Sequence, residues 1–438
     1  MIGAAVATTL EQRSIELEKR TGPTAYAWLV MALTLGLLLS DYMSRQLLNA
    51  VFPLLKTEWR LTDTQLGSLG GVVPLAVGVL TLPLSLLADR VGRVRSIVVM
   101  AILWSLATLA CGLSAHFGQM LLARAVVGVG EAAYGSVGLA VVVSVFPKSM
   151  RAMIVAMFTA GGVFGSVLGV ATGGILAERL GWRWSFAIIG LIGVVLGAIY
   201  PLVVRETRGG AAESEAGSPA IGATATSGLG RLLSALFPSR TVVLTYLGSG
   251  VQLFISASLI AWTPSFLNRY YAFGPAKAAG ISAILILAGG FGMIGCGALA
   301  DRLSRGTPRR QLSIACVYAL LSSALVFAAL HLPVGGAQLI VLGVAMTIAA
   351  GTLGPAGAVA AARADARAYA SVFATLTLAN NFLGLAPGPF LTGVAADHWG
   401  LRQALLFTPV AGVVAAALFW LARRLWSETP APSRAVGA

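Results

Sequence analysis

Charge is what this 438-residue chain has least of: only 11% of its residues are charged, and acids number 16 against 30 Lys and Arg. A soluble globule needs far more polar surface than that to stay dissolved, so a soluble enzyme or binding domain is excluded. Histidine is nearly missing as well. His116, His331 and His398 are the three copies, each at a loop or the end of an apolar run. The three cysteines, Cys111, Cys296 and Cys316, fall far apart inside apolar runs and read as small core residues. They offer neither a disulfide framework nor a metal site. No phosphate-binding Walker loop and no acid-rich metal motif occurs. A membrane-embedded enzyme would therefore lack its catalytic residues, and no cofactor is implied.

What the chain has in abundance is apolar length. It is 57% hydrophobic, with a mean hydropathy of +0.86. A membrane helix needs about 20 apolar residues, and twelve such spans can be marked. Six lie at about 26–49, 66–87, 96–115, 117–145, 152–177 and 185–204. Six more lie at about 241–264, 278–299, 311–330, 337–362, 370–394 and 402–422. The runs are continuous, without period-two alternation, which excludes a β-barrel. The fold class is an all-α membrane protein of twelve transmembrane helices. Residues 1–24 form an N-terminal segment without a cleavable signal pattern. Residues 25–205 form one six-helix bundle and 241–424 another. Between them, 206–240 is a linker rich in Gly, Ala, Ser and Thr, with a short interfacial helix expected near 231–237. Residues 425–438 are a tail.

The +14 net charge is placed unevenly. With the N-terminus in the cytoplasm, the inner segments hold 21 of the 30 bases and the outer loops hold seven. That asymmetry is the positive-inside pattern, and it puts both termini and the linker in the cytoplasm. A nucleic-acid surface would need clustered bases interleaved with aromatics on a polar face, which the chain does not have.

Two repeats reveal a duplication. Leu-Ala-Asp89-Arg90-Val-Gly92-Arg93 returns 212 residues later as Leu-Ala-Asp301-Arg302-Leu-Ser-Arg305, and Gly174–Arg183 returns at an offset of 219 as Gly393–Arg402. Parallel six-span halves are a transporter architecture. The stretch from Ser85 to Arg93, with its partner from Gly297 to Arg305, resembles the loop between spans two and three of the major facilitator superfamily. Arg124-Ala-Val-Val-Gly128-Val-Gly130-Glu131-Ala-Ala-Tyr134 resembles span four of the spinster-type transporters, with similar spacing in the anion:cation symporters. Span one departs from those groups. They carry Asn-Tyr-x-Asp-Arg where this chain has Asp41-Tyr42-Met43-Ser44-Arg45. The resemblance implies two pseudo-symmetric bundles that alternate access around a midplane site.

Four ionisable residues lie within spans: Asp41, Arg45, Arg124 and Glu131, all in the first half. Such residues are costly in a membrane and mark function by default, the competing reading being an ion-pair network that only fixes packing. At 1.5 Å per residue, Arg124 lies ~10 Å and Glu131 ~21 Å below the outer end of span four, while Asp41 lies ~12 Å and Arg45 ~6 Å below the outer end of span one. Asp41 and Arg45 are four apart on one helix face, and the shared depth of Asp41 and Arg124 leaves a pair between neighbouring spans geometrically open. Glu131, with no base at its level, is the expected proton carrier, because burial disfavours a charged carboxyl, and Asp41 is next. Arg45 and Arg124 suit an anionic group, and Tyr134, Gln252, Trp262, Asn380 and Asn381 are the expected polar and aromatic lining. The turns containing Asp89, Arg90, Gly92 and Arg93, and Asp301, Arg302 and Arg305, are expected both to set topology and to gate. In the resembling fold Asp89 faces the start of span eleven, whose helix N-terminus attracts an acid. Gly161, Gly165, Gly169 and Gly173 form a small-residue face expected against span eight.

The reading is a monomeric, proton-coupled transporter in a bacterial inner membrane, with no cofactor, metal or nucleic-acid partner. Its cargo is an anionic or amphiphilic small molecule, a lysolipid- or sphingoid-like lipid or an organic acid. The alternative is a transport-fold sensor or a facilitator without proton coupling.

Overall fold

The computed structural model describes residues 24–206, 239–362 and 369–426; the expected helix at 231–237, residues 1–23 and the end of the tail lie outside them. Among the described residues the secondary structure is entirely helical. The first half comprises span one (Ala25–Trp59), span two (Asp63–Val91), span three (Arg93–Leu113), span four in two pieces (Phe117–Glu131 and Tyr134–Val145), span five (Arg151–Leu180) and span six (Trp182–Val203). The second half runs through span seven (Arg240–Tyr271), span eight (Pro275–Ser304), span nine (Pro308–His331), span ten (Gly336–Ala350 and Leu353–Ala361), span eleven and span twelve (Leu401–Arg424). Span eleven is built from Tyr369–Asn380, a π-helical turn Asn381–Leu385 and Pro387–Trp399.

Local chemistry sets these boundaries. Thr24 caps span one by accepting from the Ala27 amide, and Thr62 with Gln65 forms a capping box at the start of span two. Span one continues ten residues beyond its expected end, through Pro53, and stops at Arg60 with φ 52°. The break in span four exposes the Ala132 carbonyl, which accepts from the Thr81 hydroxyl at 2.8 Å. A freed carbonyl in a membrane needs such a partner.

The duplication is visible in the backbone. Arg60 and Ala272, 212 residues apart, end spans one and seven in the same left-handed conformation. Gly181 and Gly400, 219 apart, turn spans five and eleven into spans six and twelve with φ 90° and 81°. The break after Glu131 recurs after Ala350, again 219 residues on.

Both ends of the bundle are distinct. The end that carries residues 24, 206, 239 and 426 is termed the terminal end, and the other the distal end. At the distal end one apolar cluster runs across both halves, from Leu47, Phe52 and Trp182 to Trp262, Phe266 and Leu405. Toward the terminal end the halves keep separate clusters, one around Trp104 and Tyr134 and one around Leu312 and Phe419. The outer surface is apolar: Leu113, Leu202 and Ile340 are among its exposed side chains. Burying such a surface in lipid costs nothing, while water would oppose it.

Candidate functional site

Span one presents Asp41, Ser44 and Arg45 to span four. The Arg45 Nε lies 3.1 Å from Asp41 Oδ1 and 2.5 Å from Glu131 Oε2, so one guanidinium is shared by two carboxylates. Both acids are buried, while Arg45 retains some exposure. Arg124, 1% exposed, donates from Nη1 to the Ser44 carbonyl at 3.1 Å, and its Nε has no partner. The Ser44 hydroxyl is in turn bonded to that of Thr108 at 2.7 Å.

One expectation is thereby corrected: Glu131 is paired, with Arg45. Of the pairings open to Asp41, the bond goes to Arg45 rather than to Arg124. The cause is the length of span one. Measured from Trp59, Arg45 lies ~21 Å below the distal end, the depth of Glu131 below Phe117. Glu131 is also the last residue before the break in span four, which sets its carboxyl at a joint between two helical pieces.

The expected lining residues divide. Tyr134 is fully buried, donates to the Thr34 carbonyl at 2.6 Å and meets Trp104 edge-on at 4.9 Å. It anchors the wall behind the charges. Trp262 is likewise buried, donates to Pro389 O at 3.0 Å and packs on Phe52 at the distal closure. Gln252 donates to Ser322 Oγ at 3.0 Å and leaves its own carbonyl oxygen free. Asn380 accepts from Ser249 at 2.9 Å, and Asn381 donates to Thr377 O at 2.9 Å. Both asparagines stand at the π-helical turn of span eleven, a distortion common at functional sites. Asn381 and the partly exposed Phe382 lie against Gly78 of span two.

The glycine face of span five meets span one rather than span eight. A Cβ at Gly169 would come within 2.6 Å of Met43 Cα, and one at Gly165 within 2.8 Å of Tyr42 Cβ. Contact with span eight is made instead by Gly174 against Pro275 and Ala279, and by Val163 against Gly290. Further toward the terminal end, side chains added at Gly295 or Gly297 would meet nothing within 4 Å.

The distal end holds a charged closure that the span-by-span reading missed. Asp397, at the end of span eleven, accepts from the amides of Asp63 (2.7 Å) and Thr64 (2.8 Å) at the start of span two. Glu178, at the end of span five, accepts from the Ala276 amide (2.7 Å) at the start of span eight. The two contacts are equivalent under the duplication: Glu178 and Asp397 differ by 219, Thr64 and Ala276 by 212. Asp63 adds a two-pronged pair with Arg269 of span seven and a bond of 2.6 Å from Lys56. The signal was within the second repeat, where an acid occupies the same place in both copies.

At the terminal end Asp89 lies 3.5 Å from Arg93 in its own turn, and Arg90 is exposed. Glu206 accepts from the Val94 amide at 3.4 Å and sits over Gly92. In the second copy Asp301 accepts from Gln311 at 2.9 Å, and Arg302 and Arg305 are exposed. The expected contact of Asp89 with the start of span eleven abuts residues 363–368, which lie outside those described.

A twelve-span bundle of two equivalent halves, joined by one apolar cluster at the distal end, with separate clusters toward the other end among the described residues and buried charge in the first half, defines a membrane transporter rather than an enzyme. The family model for the Major Facilitator Superfamily matches residues 34–382, and the chain belongs to that superfamily. It is similar to human protein spinster homolog 1, 30% identical over 55% of this chain and 46% of that protein. It also resembles a sphingosine-1-phosphate transporter of Xenopus tropicalis, 25% identical over 60% of this chain and 51% of that one. The chain thus spans about half the length of these spinster relatives. An MFS-type efflux pump of Mycolicibacterium smegmatis is 30% identical over 92% of this chain and 94% of the pump. Among solved structures, a bacterial homolog of the human lysosomal transporter Spinster, inward-facing and occupied, superimposes with a TM-score of 0.80 at 24% identity, covering 93% of this chain and all of that one.

Proposed function

We propose that this transporter moves a small organic anion, an amphiphile with an acidic or phosphate head, and couples that movement to protons. The observation that carries the reading is the shared Arg45 beside Arg124. Two acids and two bases cancel when all are ionised. An anion arriving at the free edge of Arg124 unbalances the site by one charge, and one proton on Glu131 or Asp41 restores neutrality. Moving a neutral cluster through low dielectric is far cheaper than moving a charged one. The phosphorylated cargo named for the Xenopus relative supports an acidic head, and Gln252, Asn380 and Phe382 offer a less polar wall for the remainder.

The excess of bases at the terminal end supports placing it in the cytoplasm; in that orientation the conformation is inward-facing and the carboxylate caps at the distal end form the outer gate. The efflux pump and the bacterial Spinster homolog support a bacterial inner membrane. The test is uptake into proteoliposomes with and without an imposed pH gradient. Glu131→Gln should still bind and exchange cargo but should not concentrate it against its gradient. Accumulation by that variant with the proton gradient as sole drive would refute coupling at Glu131.

A further inference from the structure

At the terminal end of the second half, a cavity of about 420 Å³ opens between the start of span nine and the end of span twelve. Thr307, Arg309, Arg310, Ser313 and Arg423 line it. It stands apart from the charged site of the first half and uses none of its residues. Among the described residues no carboxylate pairs with Arg309, Arg310 or Arg423. The nearby acid, Asp301, is engaged by Gln311. Three exposed guanidinium groups share one hollow with no described carboxylate to offset them, which makes it attractive to an anion.

We infer that this cleft binds the phosphate of an anionic phospholipid headgroup. The guanidinium fork matches phosphate oxygens two at a time, and basic pockets between helices at a membrane surface take such headgroups. Two neighbouring side chains point to a lipid rather than a free ion. Val317 lies one turn below Ser313 and is 57% exposed. Trp420, three residues before Arg423, is 42% exposed and lies under the Arg424 guanidinium at 3.9 Å. An acyl chain leaving the cleft would run along this apolar and aromatic surface, with the tryptophan at headgroup level as interfacial tryptophans are.

The inference is tested by native mass spectrometry of the purified full chain, exchanged into detergent with phosphatidylglycerol or phosphatidylcholine. Phosphatidylglycerol should be retained over phosphatidylcholine. Replacing Arg309, Arg310 and Arg423 together by Gln should lower its retention about tenfold. A second variant, Ser313→Trp, fills the cleft while leaving its charges, and should lower retention as well, which keeps the test decisive if the triple variant fails to fold. Equal retention of the two lipids, or undiminished retention in a folded variant, would overturn the site. Displacement of phosphatidylglycerol by millimolar inorganic phosphate would assign the cleft to a soluble anion and overturn the lipid reading.

Discussion

Arg45 holds two carboxylates at once, and its removal should be felt more than that of either acid. Arg45→Gln leaves Asp41 and Glu131 buried and uncompensated, at a cost of about 3–5 kcal/mol. Adding Glu131→Gln should recover much of the lost thermal stability without restoring coupling; a double variant no more stable than Arg45→Gln alone would contradict the shared pair. Arg124 is expected to behave differently, because its bond goes to a backbone carbonyl. Arg124→Gln should abolish cargo binding, and Asp41→Asn added to it should bring nothing back, as measured by equilibrium binding in detergent. The four charged residues were legible in the sequence because ionisable groups stand out in apolar runs. Their pairing was not, because it depends on where span one ends. Nothing local marks residue 49 as mid-helix, and Pro53 reads as a stop although the helix passes through it.

At the scale of helices, two contacts decide packing and opening. Span five lies so close to span one that a valine at Gly169 would overlap the backbone at Met43, and Gly169→Val should cost about 1–3 kcal/mol by overpacking, visible as a lowered unfolding temperature in detergent. The two carboxylate caps at the distal end are the second contact. Glu178→Gln combined with Asp397→Asn weakens both, since a neutral amide gains less from helix amides than a carboxylate does. Spin labels at Leu180 and Gln403, in a cysteine-free background, should then report a longer distance than in the parent; an unchanged distribution would remove the caps from gating. Helix number and order were readable from hydropathy alone. The breaks in spans four and ten and the π-helical turn in span eleven were not, because no proline precedes any of the three within its span; Pro355 and Pro387 both come after the distortion.

For the molecule as a whole, the charge pattern and the closed end make one joint prediction. Cysteine placed at Gln403 should react with an impermeant maleimide added to intact cells, while cysteine at Ala362 should react only after permeabilisation. The reverse result would turn the transporter over in the membrane and make this conformation outward-facing. The duplication was legible at this scale because both basic turns and both acid-bearing repeats survive in sequence. The direction of the glycine face was not, since four glycines define a stripe but not the helix that fills it.

The paired caps also bear on how such a molecule could arise. Each half carries both parts of the closure: a carboxylate at the end of its fifth helix and open amides at the start of its second. A single six-span unit with these two parts could have closed against an identical copy about a two-fold axis, each giving what the other accepts. The distal seal of this chain has the form such a two-fold interface would take, with both copies of each part carried by one polypeptide.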